Sequence, residues 1–266
     1  MKVSKILATR MARRYNQQGL TLIELLVVLV ILIALAGILI PQLPNMLTRA
    51  HTAAASTNIP EANKRIQEFE QIYFKQPANF DNLANGAALV DYLPNGGVGL
   101  GLTATALTAG TAGALAEAGI TSLAGLYVDT TALEGAGGTP TFNPYDAASD
   151  IADVAASTDE VAFVNEATVE ALLRPDAGAA DAYVALGIGQ RSELIGRTTN
   201  EAPYHFGDAA GAGPDAVYAR YLAIYKVAND GTALDKAIFI GVLAMHDDGL
   251  ANGGDHVAEF FEANQL

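Results

Sequence analysis

The 266-residue sequence contains no cysteine and no tryptophan. The lack of cysteine excludes disulfide bonds, thiolate metal sites, a cysteine nucleophile and a lipoprotein anchor. The Gly-x-Ser-x-Gly elbow of serine hydrolases and the Gly-Lys-Ser/Thr phosphate loop are also absent. A folded domain in this chain must therefore depend on its apolar core or on bound ions, and the sequence gives little support for catalysis.

Basic residues are scarce after the first 19 positions. The formal net charge is −14, and those first residues carry five cations and no acid, so the rest of the chain carries −19. A nucleic-acid-binding surface needs a basic footprint, so nucleic acid is excluded as a partner. This negative charge is explained most simply by a surface that keeps the domain soluble, and binding of cations is the alternative explanation.

One long apolar run is present, from Leu20 to Ile40. These 21 residues are interrupted only by Thr21, Glu24 and Gly37. At about 1.5 Å per residue a helix of this length is about 30 Å long, which is the hydrocarbon thickness of a bilayer. We therefore predict a membrane-spanning helix in which Glu24 is a costly ionisable group that requires a partner.

The cations before this run predict its orientation. They are Lys2, Lys5, Arg10, Arg13 and Arg14. Positive charge beside a first span favours the cytoplasm, so the bulk of the chain should lie on the far side of the membrane. A cleaved secretory signal peptide and a plain uncleaved anchor remain open. A signal peptide would have a shorter apolar region, of about 7–15 residues, and a small-residue cleavage site.

The hexapeptide Gly19–Glu24, behind a basic leader and ahead of an apolar run, resembles the class III prepilin signal. That signal marks type IV pilins and the pseudopilins of type II secretion. Pro41 also matches the family, whereas the family more often has Phe or Met at the position of Leu20. The resemblance implies cleavage between Gly19 and Leu20 by a prepilin peptidase, N-methylation of the new Leu20 amine, and a helix kink at Pro41.

The resemblance further implies a structural, non-enzymatic subunit that polymerises with itself and with other pilin-like subunits. Assembly would occur on an inner-membrane platform, with the soluble part in the periplasm and later in a pilus or pseudopilus that can reach the cell surface. In such a polymer the Leu20 amine of one subunit can lie beside Glu24 of a neighbour. An unpaired Glu in an apolar bundle costs several kcal/mol, so Glu24 favours one axial register.

We predict four segments along the chain. They are a leader at 1–19, a transmembrane assembly helix at 20–41, its amphipathic continuation at 42–76, and a head at 77–266 with Gly/Ala-rich insertions. The predicted fold class is α+β, with the long N-terminal helix packed against an antiparallel sheet. The sequence gives no role for the extra residues at 95–160.

The amphipathic continuation has apolar residues at 3-4-3-4 spacing, which predicts a core-facing helical stripe. The stripe consists of Ile59, Ala62, Ile66, Phe69 and Tyr73. Thr57 or Asn58 can cap a new helical segment here, with Pro60 in its first turn. We expect the helix to end at Pro77.

The head carries its clearest strand signals near the C-terminus. Residues 218–227 alternate, Asn229-Asp230-Gly231 supplies turn residues, and 237–245 is apolar, so the two segments predict a central hairpin. Other predicted elements are helices at 111–119 and 167–173, strands at 120–128, 162–164 and 182–188, and a short helix or turn-rich link at 78–93.

An acidic, glycine-rich segment follows the last predicted strand. Its oxygen-bearing side chains are Asp247, Asp248, Asn252 and Asp255. Such ligands suit a hard cation, although the spacing differs from that of an EF-hand. The segment resembles the calcium-binding C-terminal loop of major pseudopilins, which implies a calcium site. A polar turn without an ion is the alternative.

Two other functions stay open. The chain can be a minor tip subunit, an adhesin-like binding module held by the same helix, and copy number in filaments would separate the two roles. The other possibility is a membrane-anchored exported enzyme, which converging polar side chains in a pocket of the head would favour. No carboxylate pair is distinguishable from the acidic background.

Overall fold

The computed structural model describes residues 21–39, 43–90, 93–97, 99–125, 127–128, 142–143, 151–173, 180–203, 218, 220–245 and 249–252. The chain divides into two compact units, Met1–Leu47 and Thr48–Leu266. Helices and a largely antiparallel sheet confirm the predicted α+β class.

The helices are α1 (Leu22–Leu39), α2 (Leu43–Tyr73), α3 (Ala109–Ala118) and α4 (Glu166–Leu172), with 3₁₀ turns at Pro94–Gly97 and Val154–Ala156. The strands are β1 (Phe80–Asn82), β2 (Ala84–Asn85), β3 (Ala88–Leu89), β4 (Leu102–Ala106), β5 (Leu123–Gly125), β6 (Tyr127–Val128), β7 (Phe142–Asn143), β8 (Glu160–Val164), β9 (Ala182–Gly187), β10 (Leu222–Asn229), β11 (Thr232–Met245) and β12 (Leu250–Ala251).

Helix α2 continues through Pro60, so the predicted new segment capped by Thr57 or Asn58 is wrong. A proline inside a helix costs about 3 kcal/mol because it lacks the amide hydrogen. Burial of the apolar stripe from Ile59 to Phe69 in the core offsets that cost. Tyr73 is 41% exposed, so the buried stripe is one residue shorter than predicted. Tyr73 is also the last residue of α2, so the helix ends four residues before Pro77.

The main sheet follows the order β12-β11-β10-β9-β1-β5. Strand β9 pairs with β10 along one edge. Its other edge is shared, because β8 pairs with residues 183–185 and β1 pairs with Gly187. Strand β4 pairs with the far edge of β8, and every pair is antiparallel except β1 with β5.

The predicted hairpin of β10 and β11 is confirmed. Its turn places Asp230 and Gly231 at positive φ, which Asp and Gly tolerate better than other residues. Odd-numbered side chains from Tyr221 to Val227 enter one core, whereas Leu222 and Ile224 enter the other. The alternation in the sequence therefore separates two apolar clusters on the two faces of the sheet.

The first core includes Ile66 and Phe69 of α2, Leu115 of α3, and Phe80 and Tyr225 of the sheet. The second core, on the opposite face, includes Leu83, Leu100, Val169 of α4, Tyr183 and Leu222. The sheet is thus covered on both faces, and the stripe of α2 packs on one of them as predicted.

The segment at 78–93 forms β1, β2 and β3 rather than a helix, so that part of the prediction is wrong. Phe80 is buried, and its strand pairs with β5 and β9. Pairing with distant strands decides the structure here, against the turn-forming Asn and Asp residues. Helix α3 ends at the left-handed Gly119, as predicted, and α4, β8 and β9 lie where expected.

Candidate functional site

Helix α1 exposes apolar side chains around its circumference. Leu22 is 84% exposed and Ile23 is 70% exposed, and the other large apolar side chains as far as Leu35 are exposed by half or more. A helix that is apolar on all sides is typical of a membrane span or of the interior of a larger assembly. Its surface therefore requires an apolar environment.

Glu24, at the start of this helix, is held by Thr21. The backbone N–H and the hydroxyl of Thr21 donate to Glu24 Oε2 at 2.8 and 2.9 Å. The backbone N–H of Glu24 donates in return to Thr21 Oγ1 at 3.3 Å. This reciprocal pair is a capping box, which satisfies amide groups that the first helical turn leaves without partners.

The capping box leaves one carboxylate oxygen for another partner. Both hydrogen bonds from Thr21 end on Oε2 of Glu24, and Oε1 accepts none from the residues described in the structure. A carboxylate is also favoured near the positive end of the helix dipole. The start of α1 therefore presents a restrained, charged oxygen that can pair with a cation from another molecule.

Sequence reasoning singled out Glu24 but missed Thr21. The signal was present, because Thr-x-x-Glu directly before an apolar run is the capping-box signature. Gly19 and Leu20, the predicted cleavage and methylation residues, lie outside the described residues. Pro41 does too, between the end of α1 at Leu39 and the start of α2 at Leu43.

Three of the four predicted calcium ligands, Asp247, Asp248 and Asp255, also lie outside the described residues. Asn252 follows β12, and its Nδ2 donates to the carbonyl of Leu172 at 2.7 Å. Its carboxamide oxygen is the atom that would serve as a ligand for a hard cation. Among the residues of known placement, no group of three or more His, Asp or Glu surrounds a metal position. The calcium site stays a prediction.

A buried acid in the head was not predicted. Asp81 in β1 is 1% exposed and accepts a hydrogen bond of 2.7 Å from the Tyr218 hydroxyl at Oδ2, while its Oδ1 has no partner. Burial raises the pKa of Asp81 to about 6, although the Tyr218 hydrogen bond and the charges of Arg220 and Arg191 oppose the rise. Such an enclosed carboxyl is out of reach of a substrate and acts within the fold.

Two glycines make room for this pair. A Cβ atom on Gly189 would overlap the Asp81 carboxylate, and one on Gly187 would overlap the Tyr218 hydroxyl. Because Gly187 also pairs with Asp81 in the sheet, the acid joins β1 to the end of β9. No local sequence signal marks this site, since its members lie far apart in the chain.

Comparison with known proteins identifies the N-terminal segment. Residues 14–40 match the family model of the prokaryotic N-terminal methylation motif. This motif is the class III prepilin signal of type IV pilins and pseudopilins, so the resemblance seen in Gly19–Glu24 is confirmed. Comparisons with curated proteins and with solved structures gave no match.

The motif is that of a structural, pilin-type class of protein. It implies processing by a prepilin peptidase, anchoring in a membrane during that processing, and assembly with pilin-like subunits in general. In the part of the chain that the structure describes, no helix combines the length and the apolar character needed to cross a membrane.

Proposed function

We propose that the chain is a pilin-like structural subunit that polymerises through α1 into a type IV pilus or a type II secretion pseudopilus. A prepilin peptidase cuts between Gly19 and Leu20, and the Leu20 amine is methylated. One observation carries the proposal. The methylation motif at residues 14–40 overlaps α1, an apolar helix that begins at Leu22 and carries Glu24, held by Thr21, in its first turn.

Cleavage changes the electrostatics of the N-terminus. It removes the five cations of the leader and creates one α-amino group at Leu20. In the polymer, this amine pairs with Oε1 of Glu24 in a neighbouring subunit. An acid without a partner in an apolar bundle is disfavoured by several kcal/mol, so registers that pair the two groups are selected.

Thr21 prepares Glu24 for that contact. Because the Thr21 hydroxyl and amide already restrain the carboxylate, less side-chain entropy is lost when the amine binds. The same two hydrogen bonds satisfy Oε2, so Oε1 is the oxygen that remains for an incoming donor. The capping box therefore supports both the helix start and the assembly contact.

Before assembly, we place the subunit in the inner membrane as a single-pass protein. The apolar run from Leu20 to Ile40 has 21 residues, and a helix of that length would be about 30 Å long, the hydrocarbon thickness of a bilayer. The leader cations keep the N-terminus in the cytoplasm, so the head lies in the periplasm. An inner-membrane platform and other pilin-like subunits are the partners of this stage.

A minor tip subunit is the second candidate, and a feature of the head favours it. A cleft of about 300 Å³ lies between α2 and residues 188–203, which is enough for a small ligand or a side chain. A tip protein would be present at few copies per filament, whereas a body subunit would dominate. Quantitative mass spectrometry of purified filaments separates the two roles.

The test of the proposal uses the full chain expressed with a prepilin peptidase. We expect intact-mass analysis to give a mature protein that begins at a methylated Leu20, and any other first residue overturns the proposal. Glu24→Ala should be inserted and cleaved normally but should lower filament yield at least tenfold. Glu117→Ala, a change of the same kind on the exposed side of α3, should assemble normally.

The outcome of that comparison distinguishes processing from assembly. If Glu24→Ala forms filaments with wild-type yield and geometry, the pairing role of Glu24 is wrong even when the N-terminus is Leu20. A secretion ATPase and an outer-membrane secretin encoded beside the gene would favour the pseudopilus. A retraction ATPase would favour the pilus.

A further inference from the structure

The end of helix α2 projects an exposed aromatic side chain. Phe74 is 87% exposed and Ile72 is 61% exposed, and among the described residues of the head no other large apolar side chain is as exposed as these two. Phe74 also has a φ of 55°, in the left-handed region that a bulky residue rarely adopts. Neighbouring exposed apolar side chains are typical of interaction sites, so we treat Ile72 and Phe74 together as the Phe74 knob.

The backbone on both sides of the knob is anchored to the head. The backbone N–H of Phe74 donates to the carbonyl of Glu70 at 2.8 Å, and the side chain of Glu70 pairs with Lys236 at 3.7 Å. Two residues later, the backbone N–H of Gln76 donates to the carbonyl of Ala118 at 2.7 Å. The ring is therefore presented from a fixed backbone, so little conformational entropy is lost when it docks.

An open apolar groove lies on the face of the sheet opposite to α2. Its lining includes Leu100, Ala171, Leu172 and Leu250, and its volume is about 350 Å³. Leu100 belongs to the second core, and Leu172 and Leu250 pack against that core, whereas α2 packs on the first. The groove is large enough to hold an aromatic ring, so the head carries a knob on one face and an apolar groove on the other.

Two acids of α4 border this groove. Glu166 and Glu170 each precede by one position a residue of the lining, Ala167 and Ala171 respectively. Neither acid forms an ion pair with the described residues. Like charges four positions apart on a helix repel each other, so a cation supplied by another molecule would stabilise this side of α4.

The knob is accompanied by an excess of positive charge. Lys75 follows it directly, and the guanidinium of Arg197 lies 4.9 Å from the ring of Tyr73. Both cations pair with the same acid, Glu193, at 2.7 and 3.6 Å, so two positive charges share one negative charge. In a chain with a net charge of −14, this local excess complements the acidic border of the groove.

We propose that the Phe74 knob of one copy of this chain docks in the groove of a second copy. The ring of Phe74 packs on Leu172 and Leu250, and Lys75 lies beside Glu170 of the second copy. Because the knob and the groove lie on opposite faces of one sheet, the contact is head-to-tail and can repeat along a filament. The inference rests on the proposed function, since it names a contact between the heads of the same polymer.

The first experiment mixes two variants of the mature full chain in detergent, with micelles in excess over chains. The Phe74→Ala chain lacks the knob and the Ala171→Gln chain has an obstructed groove, so neither should associate with itself through this contact. We expect the unlabelled Ala171→Gln chain to cause saturable NMR shifts of the Ala167, Ala171 and Leu250 amides in the labelled Phe74→Ala chain. The Kd should be on the order of 1 mM, because the contact is small. No saturable shift overturns the proposal.

Matched titrations identify the occupant of the groove. The unlabelled Phe74→Ala chain, which has no knob, should shift the same amides less than one-tenth as much. Adding Ile238→Ala to the Ala171→Gln chain removes another exposed apolar side chain of the head and should leave the affinity within twofold. Equal shifts from the chain without a knob overturn the proposal. Shifts with N-acetyl-phenylalanine amide but none with the Ala171→Gln chain would indicate a foreign apolar segment and also overturn it.

Charge variants of the labelled chain test the acidic border. Adding Glu166→Gln and Glu170→Gln should weaken binding at least threefold at low salt, and the difference should disappear at about 0.5 M salt, where charges are screened. Adding Glu117→Gln and Glu201→Gln removes two exposed acids elsewhere and should stay within twofold. Equal effects of the two pairs, or no effect of the first, overturn the choice of a second copy. The titration needs no filament, so its outcome is separate from that of the proposed function.

Discussion

Tyr218 donates a 2.7 Å hydrogen bond to Asp81, which lies 137 positions earlier in the chain, within a site closed to solvent. The hydrogen bond stabilises the charged carboxylate, yet burial outweighs it and raises the pKa of Asp81 from 3.8 to about 6. The folded state therefore favours the protonated acid more than the unfolded state does. Near neutral pH, the ionised Asp81 therefore lowers the free energy of unfolding of the head.

We predict that Asp81→Asn stabilises the protein more at pH 8 than at pH 4. The folded pKa is the higher one, so the stabilising effect of the protonated acid is fully present below pH 3.8 and is lost as the pH rises to about 6. Asn keeps an acceptor for Tyr218 without the charge. The gain from the substitution should be about 2 kcal/mol larger at pH 8 than at pH 4, measured by urea unfolding.

Asp235→Asn is the matched control for that experiment. Asp235 is exposed on β11, so its substitution should change the free energy of unfolding by less than about 0.5 kcal/mol at both pH values. If Asp81→Asn raises the free energy of unfolding by the same amount at pH 4 and pH 8, ionisation of Asp81 does not limit stability.

Lys226→Met should destabilise the head by about 3–5 kcal/mol, because it leaves a buried acid without its counter-ion. Lys226 Nζ lies 2.5 Å from Asp181 Oδ2, and the two side chains are only 10% and 2% exposed. In contrast, Lys236→Met breaks an exposed pair with Glu70 at 3.7 Å and should cost less than about 1 kcal/mol. Equal losses in denaturant unfolding would contradict the importance of burial.

The partner substitution extends the test. Asp181 also accepts hydrogen bonds from the Tyr183 hydroxyl at 3.0 Å and the Asp230 amide at 3.1 Å. In the double variant Lys226→Met/Asp181→Asn, neither charge of this pair remains. Its loss should therefore be smaller than the sum of the two single losses, and strict additivity would rule out coupling.

Thr21→Val should weaken the start of α1 and lower filament yield to a value between the wild type and Glu24→Ala. The substitution keeps the shape of the side chain but removes the hydroxyl that binds Glu24, and loss of such a cap costs about 1 kcal/mol. Thr21→Ser keeps the hydroxyl and should assemble like the wild type. Wild-type yield from Thr21→Val, with the mature N-terminus still at Leu20, would show that the capping box does not contribute to assembly.

Calcium should raise the melting temperature if the acidic C-terminal segment binds it. A ligand at about 100 times its Kd stabilises the folded state by about 2.7 kcal/mol, which corresponds to several degrees. A chelator should reverse the rise, and Asp255→Ala should abolish it. Asp235→Ala, an exposed change outside the segment, should leave it intact. Identical melting curves with calcium and with chelator would remove calcium from the account.

The sequence predicted those structural features that are determined by a few neighbouring residues. The turn at Asn229-Asp230-Gly231 and the end of a helix at Gly119 were both predicted, because a few neighbouring residues determine each of them. The capping box of Thr21 and Glu24 is equally local, because its Thr-x-x-Glu signature directly precedes the apolar run.

The remaining errors arose where distant contacts decide the structure. Pro60 stays inside α2 because the neighbouring stripe is buried against the sheet. Strand β1 forms from turn-like residues because β5 and β9 lie beside it. The Asp81–Tyr218 pair depends on room left by Gly187 and Gly189. None of these partners is visible from local periodicity.

The shared edge of β9 determines when the head can fold. Asp81 and Gly187 can pair only when more than a hundred intervening residues form a closed loop. Closing so large a loop is entropically costly and slow. The opposite edge of β9 pairs with β10, which begins later in the chain, at Leu222. A nascent chain that stops short of Leu222 would therefore leave both cores open, so this head matures as one late, cooperative event after nearly all of it has been synthesised.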